Sequence, residues 1–170
     1  FLHQPTSKSS PLLHLDLKSE NILLDDQYDA KLSDFGLARL SSTTLKNQQQ
    51  GTLGYTCPHY IETGNASEAT DIYALGIILI ELITGKKPVS TQSGRPIYLG
   101  KYFREFVKNG EPILNIFDPM LELKLFTDKH QELIDLVNKC VDTLPQNRPT
   151  ASEIEKKFDK ILSNEKGQIG

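Results

Sequence analysis

His14-Leu15-Asp16-Leu17-Lys18-Ser19-Glu20-Asn21 is the stretch on which the reading of this chain turns. An apolar, strand-like run enters it (Pro11-Leu12-Leu13) and another leaves it (Ile22-Leu23-Leu24), so its polar groups sit on a short loop held at both ends. Such a loop is a rigid mount for reactive side chains. Asp16 can accept a proton, Lys18 supplies a compact positive charge two residues on, and Asn21 offers a neutral oxygen to a hard cation. Thirteen residues after Asn21, Asp34-Phe35-Gly36 brings a second carboxylate. An isolated loop aspartate is more often a turn former or a helix cap than a base. Here the polar residues form an ordered set, and further marks follow in the same order.

The set resembles the protein kinases, whose catalytic-loop pattern H-R-D-L-x-x-x-N and metal-binding D-F-G fall on His14 to Asn21 and Asp34 to Gly36. The resemblance implies that Asp16 is the catalytic base and that Asn21 and Asp34 hold magnesium. It implies that Lys18 neutralises the transferred phosphoryl group, and that ATP with Mg2+ and a protein are the reactants. Gly51-Thr52-Leu53-Gly54-Tyr55-Thr56-Cys57-Pro58-His59 is similar to the kinase pattern G-T-x-G-Y-x-A-P-E, with Cys57 for alanine and His59 for glutamate. Thr52 then corresponds to the threonine that ties the activation segment to the catalytic Asp and Lys, which with Lys18 favours Ser or Thr as acceptor. The hydroxyl-rich residues Ser41, Ser42, Thr43 and Thr44 fall in that segment. Leu15 replaces the arginine that would grip a phosphate there, so activity is expected to depend little on phosphorylating those four. Asp71 corresponds to the aspartate that binds catalytic-loop N–H groups, and His14 and Arg148 to structural positions. In the family that arginine pairs with the A-P-E glutamate. Since His59 brings no negative charge, the alternatives are that Glu62, one helical turn on, has taken over the clamp, or that Arg148 is solvated and the clamp lost.

Composition bounds the rest. The chain has 170 residues, 38% hydrophobic and 24% charged, with a net charge of −3, enough for one domain with a real core and unlike a polyanion-binding surface. Nucleic acid is therefore not an expected partner. The longest apolar run, Ala74 to Ile80, is far too short to span a bilayer. Cys57 and Cys140 are far apart and lack metal-ligand spacing, which fits a reducing compartment, the cytosol, or the cytosolic side of the plasma membrane if the parent is receptor-like. Asn65-Ala66-Ser67 is a glycosylation-type triplet without weight in that setting.

Periodicity places the remaining elements. Phe1-Leu2-His3 reads as a helix tail broken at Pro5, with Thr6 to Ser10 a polar linker. Ile22 to Leu24 and Ala30 to Leu32 flank a turn and predict a hairpin carrying Asn21 at one end and Asp34 at the other. Leu37 to Gln50 reads as a mobile surface loop. Asp71 to Ile83 is apolar nearly all round and predicts a buried helix, ended by Gly85 and Pro88. Leu99, Tyr102, Phe103, Phe106 and Val107 predict an amphipathic helix stopped at Gly110. Leu133, Leu136, Val137, Cys140 and Val141 predict another. Thr150-Ala151-Ser152-Glu153 is a capping box opening a last helix that buries Ile154, Phe158, Ile161 and Leu162. Between them Pro145-Gln146-Asn147-Arg148-Pro149 matches the kinase P-x-x-R-P turn.

The expected fold is mainly α, α+β overall: a kinase-like C-terminal lobe over residues 1–162, with a small antiparallel hairpin at its active face and a flexible tail at 163–170. No Gly-x-Gly-x-x-Gly and no strand lysine precede Asp16, so half of a kinase's nucleotide site lies outside this sequence. The expected function is the catalytic lobe of an ATP-dependent serine/threonine kinase, inactive as a fragment. Leu-Lys-Ser-Glu-Asn-Ile-Leu-Leu-Asp and Leu-Ile-Thr-Gly-Lys-Lys-Pro are most similar to plant receptor-like kinases. The competing reading is a non-catalytic scaffold or pseudokinase that binds protein partners.

Overall fold

The computed structural model describes residues 2–3, 10–41, 50–121 and 128–163. Strands β1 (Leu12–Leu13) and β4 (Arg39–Leu40) pair antiparallel, Leu12 facing Leu40. Between them β2 (Ile22–Leu24) and β3 (Ala30–Leu32) form the predicted hairpin, Ile22 facing Leu32. Helices α1 (Pro58–Thr63) and α2 (Glu68–Thr84) follow. A third pair, β5 (Val89–Gln92) and β6 (Arg95–Tyr98), leads into α3 (Leu99–Lys108), α4 (Asp128–Cys140) and α5 (Ala151–Ser163). The protein is thus mostly helical with small two-stranded antiparallel sheets, as the sequence implies.

Helix α2 is the pillar. It starts at Ser67, whose N–H is capped by Thr70 Oγ1 at 3.1 Å, and stops at Gly85 in the left-handed conformation (φ 64°). Tyr73, Ala74, Ile77, Ile78, Ile80 and Ile83 are buried, packed with Leu99, Phe103 and Phe106 of α3 and Ile134 and Val137 of α4, while Ile72 is buried with Leu136, Cys140 and Ile154. The all-round burial expected of it fails at Leu82, which is 67% exposed. The amphipathic α3 and α4 lie where their apolar spacing puts them. Helix α5 opens with its capping box intact: Glu153 accepts from the Thr150 N–H at 2.8 Å and the Glu153 N–H donates to Thr150 Oγ1 at 3.3 Å. It buries Ile154 and packs Phe158 against Leu136 and Cys140, but Leu162, expected in the core, is 60% exposed.

The β5–β6 hairpin was not anticipated. Its turn residues Ser93 (φ 50°) and Gly94 (φ 74°) are both left-handed, as a two-residue hairpin turn requires. The Ser-Gly pair was the available signal, masked by a polar, Pro-containing flank that lacks clean alternation. Leu2 and His3 lie in a turn rather than a helix tail. Phe1, most of the proposed Thr6 to Ser10 linker, the proposed phosphorylatable residues Ser42, Thr43 and Thr44, and positions 164–170 lie outside the described residues. Among the described residues no helix is long and apolar enough to cross a membrane.

Gly76 marks the closest approach of α2 to α4. A Cβ placed there would stand 2.7 Å from Val141 Cγ1 and 2.8 Å from Cys140 Cβ, with the Cys140 carbonyl carbon at 3.3 Å. Alanine gains about 1 kcal/mol of helix propensity but overpacks against backbone that cannot yield, at about 1–3 kcal/mol. Gly76→Ala is therefore expected to lower stability in urea unfolding, although mid-helix Gly→Ala ordinarily raises it.

Candidate active site

The site is built on a loop bolted to α2. Asp71, 2% exposed, accepts the His14 N–H at 2.8 Å through Oδ2 and the Leu15 N–H at 2.9 Å through Oδ1. Leu15 is thereby held at φ 66°, a conformation disfavoured for a branched side chain, which is itself buried. His3 Nε2 adds a third contact to Asp71 at 2.9 Å. His14 is fully buried and acts as a connector. Its Nδ1 accepts the Asp16 N–H (3.3 Å), so the ring proton belongs on Nε2, which donates to Ser33 O (3.0 Å). The ring also packs on Phe35, centroids 4.9 Å apart.

Four of the predicted site residues meet here. Thr52 Oγ1 donates to Asp16 Oδ1 at 2.7 Å, and Lys18 Nζ lies 3.0 Å from Asp16 Oδ2 and 3.3 Å from Thr52 Oγ1. Asn21, buried at the end of a 3-10 turn (Ser19–Asn21), donates its side-chain N–H to Asp16 O at 2.9 Å. The Ser33 N–H and Oγ both bond Asn21 O, at 2.9 and 3.0 Å, continuing the β2–β3 pairing and setting Asp34 beside Asn21's strand end. Asp34 is left-handed (φ 58°) and accepts the Gly36 N–H at 3.2 Å. Partial burial works to raise the Asp16 carboxyl. The hydrogen bonds from Thr52 and Lys18, with the Lys18 charge, outweigh it and hold the group below its usual 3.8. In return the Asp16 hydrogen bond raises Lys18 above 10.5. Among the described residues no cluster of three or more His, Cys, Asp or Glu could cage a metal.

The chain Ser19, Tyr55, Glu81 was missed. Tyr55 OH donates to Glu81 at 2.7 Å and lies 2.9 Å from Ser19 Oγ, joining the loop's far end to α2. Burial, reinforced by Glu81, pushes the Tyr55 hydroxyl up to about 12, and burial raises Glu81 as well. A lone carboxylate directly after an apolar helical run was the available signal. Ser41 lies in a turn away from this cluster, its N–H on Pro11 O at 2.8 Å.

A protein kinase domain model matches residues 1–158. The chain belongs to the protein kinase family. It is 37% identical over 166 residues to the probable serine/threonine-protein kinase PBL12 of Arabidopsis thaliana, a match covering 95% of this chain and 38% of that protein. It is 36% identical to an EPD1-interacting receptor-like cytoplasmic serine/threonine-protein kinase of Nicotiana benthamiana, covering 95% of this chain and 35% of the relative. To the wall-associated receptor kinase-like 1 of Arabidopsis it is 34% identical over 96% of this chain and 23% of that protein. The chain thus spans well under half the length of these kinases.

Arg148 departs from both sequence alternatives. Glu62 is exposed and makes no bond to it, yet Arg148 is not solvated: it is 7% exposed. Its guanidinium donates to Asp142 O (2.8 Å), Ala69 O (2.8 Å), Thr143 O (3.3 Å) and Cys57 Sγ (3.0 Å), and stacks 5.0 Å over the Tyr73 ring. Helix and turn carbonyls, not a carboxylate, satisfy the charge, so the 91-residue link to the end of the activation segment survives through a sulfur atom.

Two outcomes follow from this geometry. Arg148→Met strips several buried acceptors of their donor and is expected to cost at least about 2 kcal/mol. Glu62→Ala should stay within about 0.5 kcal/mol of the parent in the same urea titrations. For Asp16, a folded carboxyl held below its unfolded value contributes stability that is complete above about pH 4 and is lost as pH falls through the folded value. Thr52→Val removes the shortest of its hydrogen bonds, so the Asp16 carboxyl is expected to titrate at higher pH, read from its side-chain carbon resonance.

Proposed function

We propose that residues 1–162 form the C-terminal, catalytic lobe of an ATP-dependent protein serine/threonine kinase that acts in receptor-like signalling on the cytosolic side of the plasma membrane or in the cytosol. The observation that carries this reading is the closed arrangement of Asp16, Lys18 and Thr52, with Thr52 Oγ1 at 2.7 Å and Lys18 Nζ at 3.0 Å from the Asp16 carboxylate. Scaffolding requires no ion pair of this kind at a loop tip, whereas phosphoryl transfer requires a proton acceptor beside a cation. The Ser/Thr acceptor is supported by Lys18 and Thr52 and by the serine/threonine kinases among the relatives.

In this reading Asp16 accepts the acceptor hydroxyl's proton on a carboxylate oxygen and aligns that hydroxyl for in-line attack. Thr52 fixes the carboxylate's rotamer and fastens the end of the activation segment to it. Lys18 sets a positive charge where the moving phosphoryl group accumulates negative charge. Asn21 and Asp34 suit Mg2+. The Asn21 N–H is occupied by Asp16 O, which leaves its side-chain oxygen for a hard cation, and Asp34 gives one oxygen to Gly36, which leaves the other. A neutral oxygen and one carboxylate, without a closed cage, is the sparse donor set that magnesium shares with phosphates. Bound ATP supplies the γ-phosphoryl group, and the bound Mg2+ screens its charge.

In a parent protein that contains the small lobe, Asp16→Asn is expected to reduce turnover on serine peptides by about a thousandfold or more. Its stability should change by only about 1–2 kcal/mol, the cost of remaking the Thr52 and Lys18 hydrogen bonds. Radiolabelled phosphate transfer to matched serine and tyrosine peptides, beside a thermal melt, is the measurement. Turnover near the parent's would remove Asp16 from the role, and preference for tyrosine would reject the acceptor assignment.

A further inference from the structure

The β5–β6 hairpin, absent from the sequence reading, frames a cavity of about 450 Å³ with the start of α3, lined by Lys86, Lys87, Ser90, Thr91 and Tyr102 among others. Its lining holds two cations, the hydroxyls of Ser90, Thr91 and Tyr102, and no carboxylate. Lys86 Nζ stands 5.9 Å over the Tyr102 ring, which directs the ammonium across the cavity wall without neutralising it. Neither lysine forms an ion pair among the described residues. The acid packed against the turn before Lys86 is Asp118, at Gly85; its Oδ1 accepts the Met120 N–H at 2.9 Å and it is not part of the cavity lining.

The hairpin's base abuts the candidate active site. A Cβ on Gly54 (φ 95°) would lie 2.8 Å from Val89 Cγ2 and 3.0 Å from Pro88 Cβ, so β5 starts in direct contact with the turn that begins at Thr52. Thr52 in turn holds Asp16. A segment seated in the cavity is therefore joined to the acceptor end of the site through the contact between Val89 and Gly54.

We propose that this cavity docks an acidic segment of the protein substrate, Lys86 and Lys87 pairing its carboxylates and Ser90 and Thr91 donating hydrogen bonds to them. This rests on the kinase reading for the word substrate, but the docking itself needs no phosphoryl transfer. Two clustered, unpaired lysines over hydroxyl donors match an extended peptide bearing several carboxylates better than a single small anion, since paired exposed charges gain by being engaged together.

The test is fluorescence anisotropy at low salt with two labelled serine peptides of equal length, one with flanking glutamates and one with glutamines in their place, on the full-length protein. The glutamate peptide is expected to bind at least about fivefold more tightly, and the preference to shrink as salt rises. Lys86→Glu with Lys87→Glu should abolish it, while Lys86→Arg with Lys87→Arg should keep it. Equal binding of the two peptides, or a preference that survives the double glutamate variant, overturns the proposal. Loss of serine phosphorylation with the binding preference intact would count against the kinase reading alone.

Discussion

The Asp71 carboxylate is the constraint on which the site depends. A fully buried carboxylate is tolerable only when donors surround it, and two of those donors are consecutive backbone N–H groups, at His14 and Leu15. Aiming both at one side chain twists the chain at Leu15 into a positive φ that its own Cβ opposes. The strain is held by the hydrogen bonds to Asp71 and by burial of the Leu15 side chain, and it turns the next residue, Asp16, out toward Thr52 and Lys18. Because Asp71 stands on the largely buried helix α2, the loop at His14 to Asn21 inherits the rigidity of the core.

His14 carries that rigidity sideways. One ring nitrogen fixes the Asp16 backbone, the other fixes Ser33, and the ring face meets Phe35, so Asp16 and Asp34 are referred to one buried imidazole. Asn21 closes the circuit, since its side-chain N–H donates to Asp16 O while its backbone carbonyl accepts from Ser33. The side chains of Asn21 and Asp34 each spend one polar atom on a structural bond, to Asp16 O and from the Gly36 N–H, while both ring nitrogens of His14 are spent on the framework. The arrangement explains why residues dispersed over the first third of the chain behave as one unit.

The fold was legible wherever periodicity and punctuation agreed. Helix α2 announced itself by length and apolarity, α5 by its capping box, and the β2–β3 hairpin by two apolar runs around an Asp-rich turn. The site was legible because ordered polar residues interrupt apolar runs at His14 to Asn21, and its pattern resembles a known family. What stayed hidden was set by partners distant in sequence. Nothing local says that Tyr55 reaches Glu81, that His3 reaches Asp71, or that Leu82 and Leu162 face water. The β5–β6 hairpin hid for a different reason: its residues are nearly all exposed, so no hydrophobic alternation records it.

Arg148 shows most sharply why a motif and its physics must be separated. The family pattern places a glutamate at the position of His59, and charge balance alone pointed to another acid. Yet a guanidinium carries five N–H donors in a plane, and what burial demands is that those donors be met, with net charge of the partner a secondary matter once several carbonyl dipoles converge. Asp142, Thr143 and Ala69 supply such carbonyls from two chain segments, and Cys57 supplies an acceptor on the activation-segment side. An alanine at position 57, as the family pattern has it, carries no acceptor atom and would leave that side without a bond. The two departures from the pattern, Cys57 and His59, lie two residues apart and compensate one another: the carboxylate is lost, and the sulfur that reaches Arg148 keeps the segment's end attached to the helical core.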